Sequence, residues 1–239
     1  MKQHIVRISL GLLVVLLFLG HAARFYQIGF ITQVDNIIYD ARLRFTMPGT
    51  VDERIVILDI DERSLAVPEL GRWPWGRDQI AKLMQKLFDK YGVAIIGFDV
   101  VFAERDESSG IKVLEQLAKR ELAHVPQFSQ ALGQLRGELD HDAMFGKTIK
   151  GRPVILGYYF NSREDATETG ALPEPVLPSG SFSGRNIQFP NWLGYGANLP
   201  ELQAVAAGAG HFNPLVDDDG VTRSDTANTD AARIQRKIL

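Results

Sequence analysis

The stretch Arg54–Glu104 decides the fold: it reads RIVILDIDERSLAVPELGRWPWGRDQIAKLMQKLFDKYGVAIIGFDVVFAE. It begins with a short, β-branched apolar run, Ile55–Ile60, which is typical of a buried strand. After a Gly/Trp/Pro turn, apolar residues recur at spacings of three and four over Ile80–Tyr91, which predicts a helix with one apolar face. Gly92 ends this helix, and the apolar run Val93–Val100 predicts a second strand. Strand, helix and strand in this order predict a parallel βαβ unit.

The chain beyond this unit continues the α/β pattern. Good helix formers fill Ile111–Leu122, and a second helical stretch over Phe128–Phe145 contains Gly133 and Gly137, which we expect to break it. A third apolar run, Pro153–Phe160, predicts a strand parallel to the earlier ones. The sequence therefore predicts an α/β domain with a mainly parallel sheet.

Two segments near the C-terminus differ in character. Asn161–Pro200 is rich in Pro, Gly, Ser and Asn, as in a long loop. Its aromatic residues predict that it runs in extended form over the surface and packs against the rest of the domain; they are Phe182, Phe189, Trp192 and Tyr195. Residues 211–223 form a separate stretch that predicts a β-hairpin. Its two strands are HFNPLV and VTR, and the turn between them is DDDG.

Composition limits the classes of function. The chain has 239 residues, enough for one domain with accessory segments, and its hydrophobic content of 45% is ordinary for a globular protein. A net charge of −3 without a basic block argues against a nucleic-acid partner. The absence of cysteine excludes disulfides and Cys-ligated metals, and we expect no cofactor.

The N-terminal segment predicts attachment to a membrane. Ile5–Ala23 is interrupted by few polar residues and, as a helix rising about 1.5 Å per residue, would span roughly 28 Å, close to the thickness of the hydrocarbon core. We therefore expect a transmembrane anchor over residues 1–24. A cleaved signal peptide is the alternative, because Lys2 and Arg7 precede a compact apolar region.

A connecting helix is expected to follow the anchor, over residues 25–50. Apolar residues recur at helical spacing from Val34 to Phe45, and Asp40 and Arg44 stand four residues apart, as in a helical ion pair. The anchor and this connecting helix are also the candidate contact of a homodimer.

Residues 34–223 carry a resemblance to a known family, whose sensor domain is expected over residues 51–223. The motifs LDIDERSL, GRWPWGR and GFDVVFAE, with the stretches at Ile37–Phe45, Gly151–Phe160 and Gly210–Arg223, resemble the second type of CHASE domain, the cyclase- and histidine-kinase-associated extracellular sensory domains of bacteria. This resemblance implies an extracytoplasmic sensor of an unidentified signal, placed ahead of cyclase or kinase output domains, and not an enzyme. The residues to which this resemblance assigns a structural role are Asp40, Trp73, Pro74, Trp75, Asn213, Asp219 and Gly220.

The last stretch, residues 224–239, is polar and departs from the pattern expected of that family. We expect a truncated or frame-altered version of a longer receptor, without a second anchor and an output domain.

The candidate ligand-binding residues are acidic, with one cation. Asp59 and Asp61 end the first predicted strand, Asp99 ends the second, and Glu104 lies just beyond it. Ligands of open α/β sheets bind at the carboxyl ends of strands, and carboxylates there could hold Mg²⁺ or Ca²⁺. The favoured interpretation is structural: these aspartates accept backbone hydrogen bonds at the next turn, and Arg77 is available to pair with Asp59 or Asp61. No metal site is therefore predicted.

Two other functions are alternatives to sensing. The first is a membrane-anchored, metal-dependent phosphohydrolase that uses Asp59 and Asp61, although the residue two places after the second aspartate, Arg63, does not fit that motif. The second is a tethered interaction domain that docks through Asn161–Pro200. Trp73 and Trp75 are interpreted as a rigid apolar plug and not as a ligand cage.

Overall fold

The computed structural model describes residues 2–23, 25–175, 177–178, 180–181, 183–184, 192–217 and 219–225. The chain divides into two compact units, residues 1–59 and residues 60–239. Each is described by itself.

The first unit contains two helices, α1 (Lys2–Ala22) and α2 (Gly29–Thr46). Within α1, Gln3–Ala22 has a mean hydropathy of 2.2 and no buried residues, so it is long and apolar enough to cross a membrane. The prediction of an N-terminal apolar helix is confirmed.

The strand predicted at Ile55–Ile60 is not formed. This run is assigned neither helix nor strand, and the side chains of Ile55, Val56 and Ile57 are 72%, 81% and 89% exposed. The apolar, β-branched pattern is that of a strand, but a strand also needs a neighbour for its backbone groups. Here the Ile55 N–H is bonded locally, to the Asp52 carbonyl at 3.0 Å.

Six helices are described in the second unit. The helix predicted at Ile80–Tyr91 is found, beginning at Arg77 and continuing as a π-helical turn, and Gly92 follows it with a φ of 64°. The helices are α3 (Glu62–Leu65), α4 (Arg77–Gln85, then the turn Lys86–Lys90), α5 (Ile111–Lys119), α6 (Pro126–Leu139), α7 (His141–Ile149) and α8 (Pro200–Gln203).

Gly133 and Gly137 do not break the helix that contains them, contrary to expectation. Both lie inside α6, which ends at Leu139 and has Asp140 as its C-cap. The break falls there because the Asp140 carboxylate accepts a hydrogen bond from the Ala143 N–H at 3.0 Å and caps α7.

A five-stranded sheet lies at the centre of the second unit. Its strands are β1 (Ile96–Gly97), β2 (Val154–Asn161), β3 (Glu168–Thr169), β4 (Gly194–Gly196) and β5 (Gly208–His211). Two further strands, β6 (Pro214–Val216) and β7 (Thr222–Asp225), form a separate two-stranded sheet. β2 pairs in parallel with β1 and β5 and antiparallel with β4, and β3 pairs in parallel with β4. The sheet is therefore mainly parallel, as predicted, although β1 is shorter than the predicted run Val93–Val100.

The core lies between this sheet and the helices α4, α7 and α8. α4 packs against α7. The π-helical turn contributes Phe88, and the guanidinium of Arg152 lies 5.7 Å from the centre of the Phe88 ring. The larger of two buried clusters consists of Ile80, Ala81, Met84, Phe102, Phe145, Ile149, Val154, Leu156, Leu199 and Leu202.

The predicted C-terminal hairpin is present as β6 and β7. Gly220 has a φ of 81°, and its N–H donates to the Asp217 carbonyl at 2.8 Å, which closes the turn. His211, expected in this hairpin, belongs to β5 instead. Between the two elements, Asn213 uses its side-chain amide to bond both the N–H and the carbonyl of Phe160, at 2.6 and 2.8 Å.

The long segment Asn161–Pro200 is described in part. It contributes β3 and β4, and Trp192 stacks on Phe160 with ring centres 5.8 Å apart. Phe182 and Phe189 lie outside the described residues, as do Asp218 in the hairpin turn and residues 226–239.

Candidate functional site

The candidate site is built around a buried ion pair at the first turn of α4. Arg77 donates from Nη1 to Asp142 Oδ1 and from Nη2 to the Glu104 carbonyl, and its guanidinium lies 5.3 Å from the ring centre of Phe102. Burial lowers the pKa of Arg77 from its ordinary value, while the nearby carboxylates of Asp106 and Glu201 oppose that shift. Arg77 thus joins α4, α7 and the loop after β1.

Asp106 fastens this loop to the start of α4. Its carboxylate accepts from the Arg77 N–H at 2.5 Å and from the Ser108 N–H at 2.7 Å, and its own N–H donates to Asp142 at 3.1 Å. Burial opposes ionisation of Asp106, but the hydrogen bonds from Arg77 and Ser108 and the neighbouring His141 lower its pKa overall. The loop is therefore an ordered part of the site, although its sequence is that of an exposed loop.

His141, the first residue of α7, contacts the same group of side chains. Its Nδ1 lies 3.1 Å from Ser108 Oγ, 3.4 Å from Asp106 Oδ2 and 3.6 Å from Asp78 Oδ1. Gly76, which precedes α4, permits this approach, because a Cβ there would meet Asp78 at 2.7 Å and Ser108 at 2.8 Å. The starts of α4 and α7 are consequently held together by one polar cluster.

A cavity of about 510 Å³ opens beside this cluster. The turn formed by residues 73–77 and the segment formed by residues 100–108 supply most of its wall, and Ile80 and Tyr159 complete it. The segment follows β1, and Tyr159 lies near the carboxyl end of β2, so the cavity has the usual position of a ligand site in an α/β sheet.

One buried side chain attaches the cavity wall to the sheet. Asn198 is 0% exposed; its Oδ1 accepts from the Phe102 N–H and its Nδ2 donates to the Gly157 carbonyl, both at 2.9 Å. The Leu199 N–H also donates to the Phe102 carbonyl at 2.8 Å. The segment after β1 is thus fixed even though it forms no strand of its own.

Comparison with known families gives this site its context. A family model described as the CHASE2 domain matches residues 10–234, which is most of the chain. The chain belongs to the CHASE2 family. CHASE2 is a sensory domain family found in receptors, so this chain is a sensory domain. The match begins within α1, at residue 10, and continues past Arg223 into the polar stretch that was expected to depart from the family. No curated protein and no solved structure matches the chain in the corresponding searches.

The CHASE2 motif GRWPWGR contributes directly to the cavity. Trp73, Pro74, Trp75 and Arg77 all line it, together with Glu104 from GFDVVFAE. The two tryptophan rings meet edge to face, with centres 5.9 Å apart, and the Trp75 Nε1–H donates to the Gly71 carbonyl at 2.9 Å. The motif therefore forms a wall of the cavity.

Of the two aspartates in LDIDERSL, Asp61 has a structural role. Asp61 caps α3, accepting from both the N–H and the Oγ of Ser64 at 2.9 Å, and these hydrogen bonds lower its pKa. Arg77, which was considered available to pair with Asp59 or Asp61, is bonded to Asp142 instead. Asp59 and Asp99 are exposed and do not line the cavity.

Three central residues were not selected by reasoning on the sequence. Asp142 sits in a helical stretch without a motif, and His141 showed no metal-ligand spacing. Asn198 lies at the end of the Pro/Gly-rich segment. Each acts through a partner distant in sequence, so no local pattern indicates it. Among the described residues, no group of three or more His, Asp or Glu side chains is arranged to hold a metal ion.

Proposed function

We propose that this chain is the extracytoplasmic input domain of a bacterial membrane receptor and that its signal is a small molecule received in the cavity. The carrying observation is that one cavity is bordered by the family motif GRWPWGR and by the start of α4, where the buried Arg77–Asp142 pair connects α4 to α7. The proposed output is a cyclase or a histidine or Ser/Thr kinase domain, in keeping with the family.

The apolar helix α1 supports the membrane part of this proposal. It is held in the inner membrane as a single-pass anchor, with the sensory domain on the outer side, and α2 is the connecting segment. Retention of α1, and not its cleavage as a signal peptide, is part of the proposal.

The arrangement of helices suggests how a signal would act. A ligand in the cavity contacts the first turn of α4 and the loop that Asp106 fastens to α7. A ligand that binds one arrangement of these elements more tightly than another shifts the population toward the first. Only that difference in affinity can be transmitted.

Membrane topology is the first test. Alkaline phosphatase, which is active only outside the cytoplasm, and green fluorescent protein, which fluoresces after cytoplasmic folding, are each fused after Leu239 of the full chain in bacteria. We expect active phosphatase and a dark fluorescent fusion, both in the membrane fraction. A fluorescent fusion with inactive phosphatase would contradict the proposed orientation, and a shortened N-terminus found by mass spectrometry would contradict the retained anchor.

A further inference from the structure

We infer that the cavity binds an organic cation, an ammonium group carried on an apolar or aromatic body. This inference rests on the proposed function, since it names the chemical class of the signal that the cavity would receive. It follows from which charges at the cavity are already compensated and which are not.

The positively charged side chains at the cavity are already bonded to other groups of the protein. Arg77 is bonded to Asp142 and to the Glu104 carbonyl, and Arg105 Nη2 lies 2.8 Å from Glu201 Oε1. The first turn of α4 is engaged as well, because the Asp106 carboxylate occupies the Arg77 N–H at 2.5 Å. An anionic ligand would have to displace these partners, and each is a charge-assisted contact.

Among the described residues, one carboxylate at the cavity has no protein partner. Asp106 is satisfied by two backbone N–H groups, and Glu107 pairs with Lys112. Within the described part of the chain, the Glu104 carboxylate receives no hydrogen bond and forms no ion pair, although the residue is exposed and lines the cavity. Glu104 is therefore the group that a bound cation would neutralise.

Aromatic side chains supply the rest of the recognition surface. Trp73 and Tyr159 line the cavity and remain 39% and 40% exposed. The Trp75 ring stands edge to face against Trp73, and its only polar atom is already bonded to the backbone. Aromatic faces attract cations through the quadrupole of the ring, and the effect grows when the cation is desolvated. The volume of about 510 Å³ suits a small organic molecule.

The experiment compares two molecules of similar size and opposite charge, phenethylammonium and 3-phenylpropionate. Each is titrated calorimetrically into the full chain in lipid nanodiscs at neutral pH, with empty nanodiscs as the blank. We expect saturable binding of phenethylammonium only. Glu104→Gln should weaken its affinity about 2- to 5-fold, the range of an exposed ion pair. Trp73→Leu should weaken it roughly 2- to 30-fold, since leucine keeps apolar contact but removes the ring.

Glu138→Gln on α6 is the matched control, because it changes the net charge equally at an exposed position away from the cavity. The affinity for phenethylammonium should be unchanged in this variant. Glu104→Lys, which reverses the charge, is the stronger substitution to use if the effect of Glu104→Gln is too small to measure, and it should abolish binding. Absence of saturable phenethylammonium binding, or binding that neither cavity variant alters, would overturn the inference. If 3-phenylpropionate bound saturably and Trp73→Leu weakened that binding, the assignment of a cation would be overturned. The cavity would then remain the proposed receiving site. The topology fusions test the receptor proposal independently of this experiment.

Discussion

Arg77, the first residue of α4, and Asp142, the second residue of α7, form an ion pair across 65 residues of sequence, with side chains only 9% and 6% exposed. Two charges taken out of water in this way compensate each other, and the guanidinium is further satisfied by the Glu104 carbonyl. The pair therefore joins the start of α4 to the start of α7 beside the cavity.

Removal of either partner leaves the other charge buried and uncompensated. Arg77→Ala or Asp142→Asn should lower the free energy of unfolding by about 3–5 kcal/mol. The measurement is urea unfolding of the full chain in detergent, followed by tryptophan fluorescence. Arg163→Ala is the control, because the Arg163–Asp165 pair is 75% and 73% exposed and should contribute at most about 1 kcal/mol. Equal losses in Arg77→Ala and Arg163→Ala would contradict the buried pair.

The sequence predicts those parts of the fold that rest on local pattern. Apolar spacing indicates α4, an uninterrupted apolar run indicates β2, and the turn DDDG with Gly220 indicates the β6–β7 hairpin. Ile55–Ile60 shows the limit of such reasoning, because its composition is that of a strand and yet none of the described strands pairs with it.

The site is predicted less completely than the fold for the same physical reason. Trp73, Arg77 and Glu104 belong to recognisable motifs and do line the cavity. The partner of Arg77, Asp142, is set by the packing of α7 on α4, and nothing within either helix indicates it. Tertiary hydrogen bonds of this kind follow from the assembled fold and not from spacing.

Stability should depend on pH through Asp106. Its pKa in the folded protein lies below the ordinary value of 3.8, so its contribution is complete above that value and is lost as the pH falls through the folded pKa. The difference in unfolding free energy between the wild type and Asp106→Asn should be largest near neutral pH and shrink below about pH 4. Urea unfolding at pH 7 and pH 3 measures it, with Asp165→Asn as a control for net charge. A difference that grows on acidification would contradict the assignment.

Gly157 should tolerate no side chain. It lies within β2, where a Cβ would meet the Phe98 carbonyl oxygen at 2.6 Å and the Phe212 ring at 2.9 Å. Gly157→Ala should therefore destabilise the protein by about 1–3 kcal/mol, the usual cost of overpacking. Gly133→Ala is the matched control, since nothing lies within 4 Å of its Cβ and alanine favours the helix α6 by about 1 kcal/mol. Thermal unfolding should shift in opposite directions, and a shift in the same direction would contradict this packing.

Asn198 should be more sensitive than its polar character suggests. Asn198→Ala leaves the Phe102 N–H and the Gly157 carbonyl without their partner in a buried place, and each unsatisfied group costs about 1–3 kcal/mol. We expect a loss of stability together with weaker binding of any cavity ligand, because Phe102 belongs to the wall. Thermal unfolding and ligand titration measure the two effects. Unchanged stability in Asn198→Ala would show that water replaces the amide.

The proposed homodimer is tested most directly on α2, because a chain without cysteine gives clean single-cysteine variants. Phe30, Ile37 and Phe45 are 74%, 67% and 91% exposed and share one face of this helix, whereas Asn36 is rotated about 100° from Ile37 and lies off that face. If two copies meet through the apolar face, Ile37→Cys should form a disulfide-linked dimer upon mild oxidation in membranes, seen on non-reducing gels. Asn36→Cys should remain monomeric. Equal cross-linking of both variants would indicate random collision, and cross-linking of neither would contradict a dimer through this face.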